Sequence, residues 1–372
     1  MSSSSPPGRI PVTLLTGFLG SGKTTLLNRA VRRPSLARTV VVVNEFGEIG
    51  LDHALIAASN DHIVVLENGC MCCTVRGELL ATLDALHAER AAGAMLPFDR
   101  IVIESSGLAD PTPILQAFLS EPTLERHYRL AQTIATFDAV NGAATLARHE
   151  ESVRQIAVAD RILITKLDLP AAGPLADTEA VHTAALRGLN SAASIARAPS
   201  GEEQAAALLR STGPDPAHGP AQALAWLALP DRHAHGPSPA GHLQDVACYC
   251  FIKHEPLSRE ALHLLLSSLE SNLSGNLLRV KGLVNVAEAP GRPAVIQGAQ
   301  HLLHNLSWLE AWPDDDHRTR IVFIAQGIAR EAVQEMIELL ERVASRTARA
   351  RQRGAAGVAA APGAAAGTVL GR

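Results

Sequence analysis

Residues 17 to 24 of the chain read Gly17-Phe-Leu-Gly-Ser-Gly-Lys-Thr24. The apolar stretch 10–16 before them is typical of a buried strand, and residues 25–30 after them have a helical composition. A glycine-rich turn between a strand and a helix is typical of a phosphate-binding loop, whose backbone N–H groups surround a triphosphate. In such a loop the lysine, here Lys23, reaches the outer phosphates, and the hydroxyl of Thr24 holds Mg²⁺. The nucleotide-binding residues predicted in this stretch are Gly17, Gly20, Ser21, Gly22, Lys23, Thr24 and Thr25.

The composition of the chain limits the structural and functional classes to which the protein can belong. Its 372 residues can form two domains and a tail, and an apolar content of 47% is enough for packed cores. A net charge of −4 provides no positive field for nucleic acid or an anionic membrane, and no apolar run has the length of a transmembrane helix. The N-terminus lacks the apolar core of a signal peptide, so we expect a cytoplasmic protein. In a reducing compartment the five cysteines are expected to be ligands or packed thiols rather than disulfides.

Strand and helix patterns alternate in the first half of the chain. They predict an α/β domain of the phosphate-loop NTPase class, with a mostly parallel sheet flanked by helices, in which the ligand lies at the carboxyl ends of the strands. The predicted strands are Val12–Leu15, Thr39–Val43, Ile63–Leu66, Arg100–Ile103, Gln132–Phe137 and Arg161–Ile164. A smaller α+β domain is predicted to follow, beginning with the strand pattern Val246–Ile252 and ending with a helix near 329–343.

A second motif, Ile101-Val-Ile-Glu104-Ser-Ser-Gly107, follows the fourth predicted strand. In phosphate-loop NTPases an acidic residue at this point organises Mg²⁺, usually through a water ligand, and the glycine N–H can contact the γ-phosphate. An acid at a strand end is also common in solvated turns, so this motif is weak by itself. Together with the phosphate loop it predicts four catalytic residues, namely Lys23, Thr24, Glu104 and Gly107.

A third motif, Thr165-Lys166-Leu-Asp168, follows the last predicted strand of the first domain. An aspartate carboxylate accepts two parallel hydrogen bonds from N1–H and N2–H₂ of guanine, whereas adenine offers no such pair of donors. The aliphatic stem of Lys166 can cover the face of the base. Thr165, Lys166 and Asp168 are therefore predicted to bind the base, and GTP is favoured over ATP.

The fourth motif is Gly69-Cys70-Met-Cys72-Cys73, just after the predicted strand 63–66. Three thiols in four residues suit a soft transition metal ion such as Zn²⁺, and this interpretation is favoured over the alternative, a packed loop of small residues. Adjacent cysteines do not always bind one ion together, so an outside ligand could complete the site. Glu45 follows the predicted strand 39–43 at the same sheet edge and could supply it; the alternative for Glu45 is a solvated loop carboxylate. The predicted metal ligands are Glu45, Cys70, Cys72 and Cys73.

These four motifs together resemble those of the CobW-type GTPases, a metallochaperone group within the phosphate-loop GTPases. The matching segments are 17–24, Val43–Asp52, Asn68–Glu78, Glu104–Pro111 and Thr165–Asp168, with Arg279–Gly282, Gln297-Gly298, Trp312 and Arg320–Ile324 in the second domain. The chain departs from the family pattern in two respects. Its linker has scattered histidines, such as His233 and His235, where many relatives have a long histidine run, and residues 104–107 read Glu-Ser-Ser-Gly where Glu-Thr-Thr-Gly is common.

The resemblance implies a domain organisation. It consists of a disordered N-terminus (1–8), a GTPase domain with the metal-binding cysteine loop (9–205), a flexible linker with histidines (206–243), a CobW-like C-terminal α+β domain (244–345) and a disordered Ala/Gly-rich tail (346–372). It further implies slow hydrolysis of GTP with Mg²⁺, coupled to binding of Zn²⁺ or Co²⁺ and to delivery of the ion to a client metalloprotein. The C-terminal domain would be the docking surface, and the γ-phosphate would order a switch near Asn44–Asp52.

Three other functions stay open at this stage. They are a cobalt-handling partner in cobalamin biosynthesis, a phosphate-loop kinase acting on a small molecule, and a passive metal buffer. No motif identifies the metal, the client or the oligomeric state. Glu45 and Glu48 are both candidates for orienting the hydrolytic water.

Overall fold

The computed structural model describes residues 9–43, 63–65, 72–95, 97–169, 175–211, 220–227, 246–272, 276–299, 302–303, 306–328 and single positions between 331 and 342. Within these ranges, only the backbone is described for residues 63–65, 72–76, 175–176, 220, 247, 270, 272 and 302–303. The predicted disordered termini (1–8 and 346–372) and the linker histidines His233 and His235 lie outside the described residues.

The first domain is built on a sheet of seven parallel strands in the order β3-β2-β4-β1-β5-β6-β7. The strands are β1 (Ile10–Gly17), β2 (Thr39–Val43), β3 (Ile63–Val65), β4 (Arg100–Glu104), β5 (Tyr128–Asp138), β6 (Arg161–Thr165) and β7 (Ser194–Arg197). Six of them were predicted. The prediction of an α/β fold with a mostly parallel sheet is confirmed, and the carboxyl ends of all seven strands lie at one edge.

Eight helices of the described residues belong to this domain. They are α1 (Lys23–Val31), α2 (Cys72–Ala92), α3 (Thr112–Ser120), α4 (Pro122–His127), α5 (Gly142–Arg148), α6 (Glu150–Ala157), α7 (Leu175–Leu189) and α8 (Glu202–Arg210), with a 3₁₀ turn at Pro34–Leu36. Alternate strand residues face opposite sides, as the period of a strand requires. Leu15 and Val41 pack in a cluster with residues of α1 and α8. Leu14 and Val42 pack in a cluster with residues of α2, α3, α6 and α7.

The C-terminal domain is a six-stranded sheet, antiparallel in every described pairing, in the order β11-β10-β9-β13-β8, with β12 paired to β10. Its strands are β8 (Val246–Lys253), β9 (Leu277–Val284), β10 (Ala294–Ala299), β11 (Leu302–Leu303), β12 (Ser307–Trp308) and β13 (Thr319–Gln326). The helix Arg259–Asn272 packs Leu262, Leu265 and Leu269 on one face of this sheet. The predicted α+β domain is confirmed.

The segment predicted as a flexible linker is in part a packed helix. Helix α8 crosses the predicted boundary at 205/206, because Ala205, Ala206 and Leu209 are buried in the cluster beside α1. A further helix, α9 (Pro220–Leu227), lies inside the predicted linker, and its Trp226 is buried with Leu283 of β9. The physical reason is the apolar content of α9, which the second sheet removes from water. The helix Arg259–Asn272 is then α10.

A buried ion-pair cluster joins the two domains. Asp160, between α6 and β6, accepts hydrogen bonds from Arg279 at 2.7 Å and from Lys281 at 2.5 Å, both on β9. Arg279 also donates to the carbonyl of Val158. Burial alone would raise the pKa of Asp160, but the charges of Arg279 and Lys281 and a hydrogen bond from the Thr133 N–H hold it far below its usual value. The cluster fixes β9 against the C-terminal end of α6.

The thiols of the second domain are partly packed, in line with the expectation for cysteines outside the metal motif. Cys248 packs against the core of the first domain, and its Sγ accepts a hydrogen bond from Ser191 at 3.2 Å. Burial raises the pKa of the Cys248 thiol. Cys250, two residues along the same strand, is half-buried. Among the helices formed by described residues, none combines the length and the apolar composition needed to cross a bilayer.

Candidate nucleotide and metal site

The phosphate loop connects β1 to α1 at the centre of the sheet edge. Gly17 has a φ of +136°, and a Cβ at this position would lie 2.4 Å from Oγ1 of Thr136 on the neighbouring strand β5. Only glycine allows this approach. The ammonium of Lys23 donates to the Gly17 carbonyl at 2.8 Å and to the Phe18 carbonyl at 3.3 Å, and the residue is 6% exposed. The lysine is therefore held inside the loop, where a phosphate would replace these carbonyls.

The two oxygen-bearing side chains predicted to hold Mg²⁺, those of Thr24 and Glu104, lie side by side. Thr24 Oγ1 donates to Glu104 Oε1 at 2.7 Å, across 80 positions of sequence. Glu104 is fully buried and lies in register with Leu15 of β1 and Val43 of β2. A carboxylate and a hydroxyl are the hard oxygen donors that Mg²⁺ prefers, either directly or through its waters. The donor set therefore fits the ion.

The predicted base-binding residues line an open cleft of about 480 Å³ beside the phosphate loop. Its walls include Gly22, Thr25, Lys166 and Asp168. Thr165 lies at the back, where its Oγ1 donates to the carbonyls of Ser21 at 2.7 Å and Phe137 at 3.1 Å. Thr165 thus ties the base-binding motif to the phosphate loop.

Lys166 is held in an uncommon conformation at the mouth of this cleft. Its φ is +59°, which is unusual for a residue with a side chain. Its ammonium donates to Asp138 at 2.7 Å, and Asp138 also accepts from the backbone N–H groups of Val140 and Asn141. Burial tends to raise the pKa of Asp138, but these hydrogen bonds lower it below its usual value. A charged pair therefore fixes the lysine stem along the cleft.

Several residues of this site carry no motif and were missed by sequence reasoning. Thr136 hydrogen-bonds Ser21 at 2.6 Å, and Asp138 orients Lys166. The signal that could have found them is the appearance of polar residues at the carboxyl end of β5, next to β1. Arg29 of α1 donates to the Pro199 carbonyl at 3.2 Å and anchors the loop that forms the far wall of the cleft. That contact spans 170 positions and has no local sequence signal.

Strand β3, which precedes the cysteine motif, ends at the same sheet edge, and only the backbone of Cys72 and Cys73 is described within the motif. Cys72 and Cys73 are the first two residues of α2, which follows β3, and β3 pairs with β2 so that Val65 faces Val43. Strands β3 and β1 are three strands apart, or about 14 Å at a usual strand spacing. Glu45, Cys70 and the side chains of Cys72 and Cys73 lie outside the described residues. No group of three or more potential metal ligands converges within the residues that are described.

Comparison with known families decides the classification. The model of the "CobW/HypB/UreG, nucleotide-binding domain" family matches residues 11–196. The model of the "Cobalamin synthesis protein cobW C-terminal domain" matches residues 246–340. This chain belongs to the CobW family.

The relatives of this CobW-family chain include proteins from bacteria and fungi. The zinc chaperone YjiA of Escherichia coli K12 is 31% identical over 331 residues, which cover 87% of this chain and 96% of YjiA. The zinc chaperone CobW of Pseudomonas aeruginosa is 38% identical over 157 residues, which cover 40% of each protein. The zinc-regulated GTPase metalloprotein activator 1 of Schizosaccharomyces pombe is 34% identical over 168 residues, or 43% of this chain and 39% of the relative.

A solved relative shares the fold of the CobW-family chain over both domains. The crystal structure of Zn(II)-bound YjiA GTPase from Escherichia coli superimposes with a TM-score of 0.63 at 26% sequence identity. The match covers 90% of this chain and 99% of the YjiA chain. The residues between the two matched family models include α8 and α9, which attach to the first and the second domain, respectively.

Proposed function

We propose that this CobW-family protein hydrolyses GTP and uses the reaction to transfer a transition metal ion, zinc in the first place, from its cysteine loop to a client protein. One observation carries the proposal. The phosphate loop, the Thr24–Glu104 corner and the ends of β2 and β3 lie at one edge of a single sheet, and α2, which begins with Cys72, is the next described element after β3. A change at the γ-phosphate can therefore reach the segment that carries the metal ligands.

The nucleotide part of the cycle follows from the geometry of the phosphate loop. Lys23 leaves its loop carbonyls for the outer phosphates, and the Asp168 carboxylate selects guanine by accepting from N1–H and N2–H₂. Mg²⁺, when bound, neutralises charge on the phosphates. Thr24 and Glu104 hold the Mg²⁺ position, directly or through water, since they are within 2.7 Å of each other before it arrives. The family membership supports this GTPase cycle and disfavours a small-molecule kinase.

The metal part rests on the short chain distance between Glu45 and the Thr24–Glu104 corner. Val43 pairs with Glu104, and Glu45 is only two residues further along. Two residues of extended chain span at most about 7 Å. Segment 44–52 is proposed to be ordered by the γ-phosphate and to supply Glu45 to the ion. Loss of the γ-phosphate then removes Glu45 as a ligand and lowers the affinity of the site for the metal ion.

Thiolates favour zinc as the cargo. Cys72 and Cys73 open a helix, where the positive end of the helix dipole favours thiolate ligands. Three relatives are named zinc chaperones or zinc-regulated activators, which supports zinc for this chain as well. Co²⁺ is the second candidate because the matched C-terminal family model is named for cobalamin synthesis. Sulfur-rich sites bind both ions, and Zn²⁺ has the higher affinity in simple competition.

The client is proposed to dock on the C-terminal domain. That domain is fixed to the GTPase domain by the buried cluster of Asp160, Arg279 and Lys281, so a client bound there has a defined position relative to the GTPase domain. The chemistry of the client's own metal site would decide which protein receives the ion.

Zinc affinity in two nucleotide states tests the proposed function. We expect Zn²⁺ to bind at least about tenfold more tightly with a non-hydrolysable GTP analogue than with GDP, which corresponds to about 1.4 kcal/mol of coupling. A Cys72→Ser/Cys73→Ser double variant should lose the tight site, whereas the matched control Cys250→Ser should keep it. Equal zinc affinity with the GTP analogue, with GDP and without nucleotide would remove the coupling and with it the proposal.

A lysine variant separates a GTP-driven chaperone from a passive buffer. Lys23→Ala removes the outer-phosphate contact, so the zinc affinity of this variant should no longer respond to the nucleotide. If the variant still binds zinc more tightly with the GTP analogue than with GDP, the phosphate loop is not the sensor.

A further inference from the structure

The loop after β4 contacts the phosphate loop backbone to backbone. A Cβ on Gly107 would lie 2.7 Å from the N atom and 2.8 Å from Cα of Leu19. At its start, the Ser105 N–H donates to the Leu15 carbonyl at 2.9 Å. This loop, residues 105–110, therefore sits where an added γ-phosphate would press on it. Its exact placement decides how Gly107 meets the nucleotide.

Helix α6 holds this loop through a buried glutamine. Gln155 is fully buried, and its Nε2 donates to the Gly107 carbonyl at 3.1 Å and to the Ala109 carbonyl at 3.0 Å. Both neighbours are acceptors, so only the amide nitrogen of the side chain can face them. Its Oε1 is buried and has no hydrogen-bond partner among the described residues. An apolar side chain would avoid that unpaired oxygen, so packing alone does not explain a glutamine here.

The residue before it holds the other end of the loop. Arg154 donates to Asp110 at 2.9 Å. The second oxygen of Asp110 accepts from the N–H and the hydroxyl of Thr112 at the start of α3. Two consecutive residues of α6 thus fix both Gly107 and Asp110.

We propose that Gln155, assisted by Arg154, is the positioning residue that sets the 105–110 loop for GTP hydrolysis. The inference rests on the proposed GTPase activity and deepens it, because it names residues outside every nucleotide motif. Gln155 is fully buried and does not line the nucleotide cleft. It acts through the carbonyls of Gly107 and Ala109, which fix how the loop presents Gly107 to the γ-phosphate. Without these bonds the loop tilts away from the nucleotide, and the state that recognises GTP over GDP is lost.

The experiment compares Gln155→Leu with the matched control Gln132→Leu. Gln132 is also a buried glutamine, 3% exposed, and its Nε2 donates to two backbone carbonyls, those of Leu208 at 3.2 Å and Ser211 at 2.6 Å. These carbonyls belong to α8 and its end, away from the phosphate loop. Each variant therefore loses two hydrogen bonds from a side-chain amide to backbone carbonyls, and both glutamines lie in the first domain. They differ only in whether the bonds reach the 105–110 loop.

We expect Gln155→Leu to lower kcat for GTP hydrolysis by about 10-fold to 100-fold, the range that misplacement of a catalytic element costs. GDP affinity should change little, so the preference for a GTP analogue over GDP should collapse. Gln132→Leu should lose thermal stability to a similar extent but keep both kcat and the affinity ratio. Equal kcat and equal affinity ratios in the two variants would overturn the inference.

A glutamate variant adds a readout that a structural role would not give. In Gln155→Glu the ionised carboxylate faces two carbonyl oxygens, whereas the protonated acid can donate to one of them. Its kcat relative to the wild type should therefore rise as the pH is lowered from 8 to 6, and that of Gln132→Glu should not. A flat relative profile for Gln155→Glu would contradict the positioning role.

Arg154→Ala keeps the test decisive if the glutamine variants fail to bind GDP. The Arg154 side chain is 30% exposed, so its removal is tolerated by the fold. We expect Arg154→Ala to reduce the preference for the GTP analogue over GDP, but by less than Gln155→Leu does. An unchanged preference would refute the proposal. A wild-type protein without GTPase activity would instead refute the proposed function itself, so the two failures are distinguishable.

Discussion

Asp168 lies at the open side of the base cleft, where its carboxylate is exposed and free to meet a ligand edge. Beside it, Lys166 is held by Asp138 and Thr165 is held by the carbonyls of Ser21 and Phe137. In the proposed function, base selection therefore depends on the Asp168 carboxylate, which the fixed Thr165 and Lys166 present to the cleft. A substitution of this exposed residue can therefore change the preferred base without disturbing the fold.

Asp168→Asn should change the preferred base. The amide nitrogen of asparagine would face the N2–H₂ donor of guanine, whereas in xanthine it would face the O2 acceptor. We expect GDP affinity to fall by at least about 100-fold and XDP affinity to rise, because a buried donor without an acceptor is expensive. Competition binding with GDP, XDP and ADP measures both changes. Asp177→Asn, on an exposed part of α7, is the control, and an unchanged preference for guanine in Asp168→Asn would place the base elsewhere.

Helices α2 and α4 meet through two stacked imidazoles. The rings of His87 and His127 lie 3.7 Å apart between centroids with an interplanar angle of 23°. His127 lies at the end of α4 and is half-buried. Burial, then the charges of His127 and Arg90, lower the pKa of His87, and Asp84 opposes them. The stacked rings therefore pack α2, the helix that begins with Cys72, against α4.

The stack should make stability depend on pH. The pKa of His87 in the folded state is below its unfolded value near 6.5, so below that pH the unfolded chain binds more protons and stability falls. His87→Phe keeps an aromatic ring but cannot take up this proton. We expect the thermal midpoint of the wild type to drop more than that of His87→Phe between pH 7.5 and 5.5. The exposed His263→Phe should behave like the wild type, and parallel curves for all three proteins would exclude the stack as the cause.

The elements that sequence predicted are those with a strong local pattern. The apolar runs of β1, β2 and β4 are buried on both faces and stand out without any knowledge of the fold. Strand β7 was missed because it has only four residues and its side chains are mostly exposed, so it has no apolar run. Helix α9 was taken as linker because its packing partner, Leu283, lies far along the chain.

The residues of the candidate site likewise fall into those with a local sequence pattern and those fixed only by tertiary contacts. Lys23, Thr24, Glu104 and Asp168 belong to motifs whose chemistry can be identified from spacing. Gln155 could not be found in this way, because the loop that it holds is 48 positions earlier in the sequence and a glutamine in a helix has no distinctive signal. Residues that position other residues are determined by tertiary contacts, and those become visible only in the folded chain.

At the scale of the whole molecule, α6 connects the nucleotide site to the second domain. Gln155 and Arg154 contact the 105–110 loop, and three residues later the Val158 carbonyl receives Arg279 from β9. Asn190 caps the end of the same helix by donating to three carbonyls, those of Ile156, Ala157 and Ala159. A rigid helix between two domains is a direct path by which nucleotide state can alter the C-terminal surface.

Asp160→Asn should loosen the domain interface. The substitution leaves the cations of Arg279 and Lys281 buried without their anion. Breaking a buried ion pair in this way lowers the free energy of unfolding by about 3–5 kcal/mol. All three tryptophans, at 226, 308 and 312, lie in or against the second domain, so their fluorescence during urea unfolding reports on it. Glu255→Gln, in a pair with Lys253 in which the glutamate side chain is 76% exposed, should cost far less and is the control.

The effect of Asp160→Asn should also depend on pH. The pKa of Asp160 in the folded state is below its unfolded value near 3.9, so its stabilising effect is complete above that pH and is lost as the pH falls towards the folded value. The difference between wild type and variant should therefore shrink as the pH falls from 5 to 3. A difference that does not change with pH would mean that the charge of Asp160 is not what holds the domains together.

The most direct test of the coupling between nucleotide and metal follows both products in one turnover. Zinc-loaded protein is mixed with GTP and a chromogenic chelator, and the release of phosphate and of zinc is recorded together. We expect the two releases to have the same rate in the wild type, and zinc to stay bound with the non-hydrolysable analogue and in Lys23→Ala. Zinc leaving at one rate with GTP, with the analogue and without nucleotide would contradict the coupling.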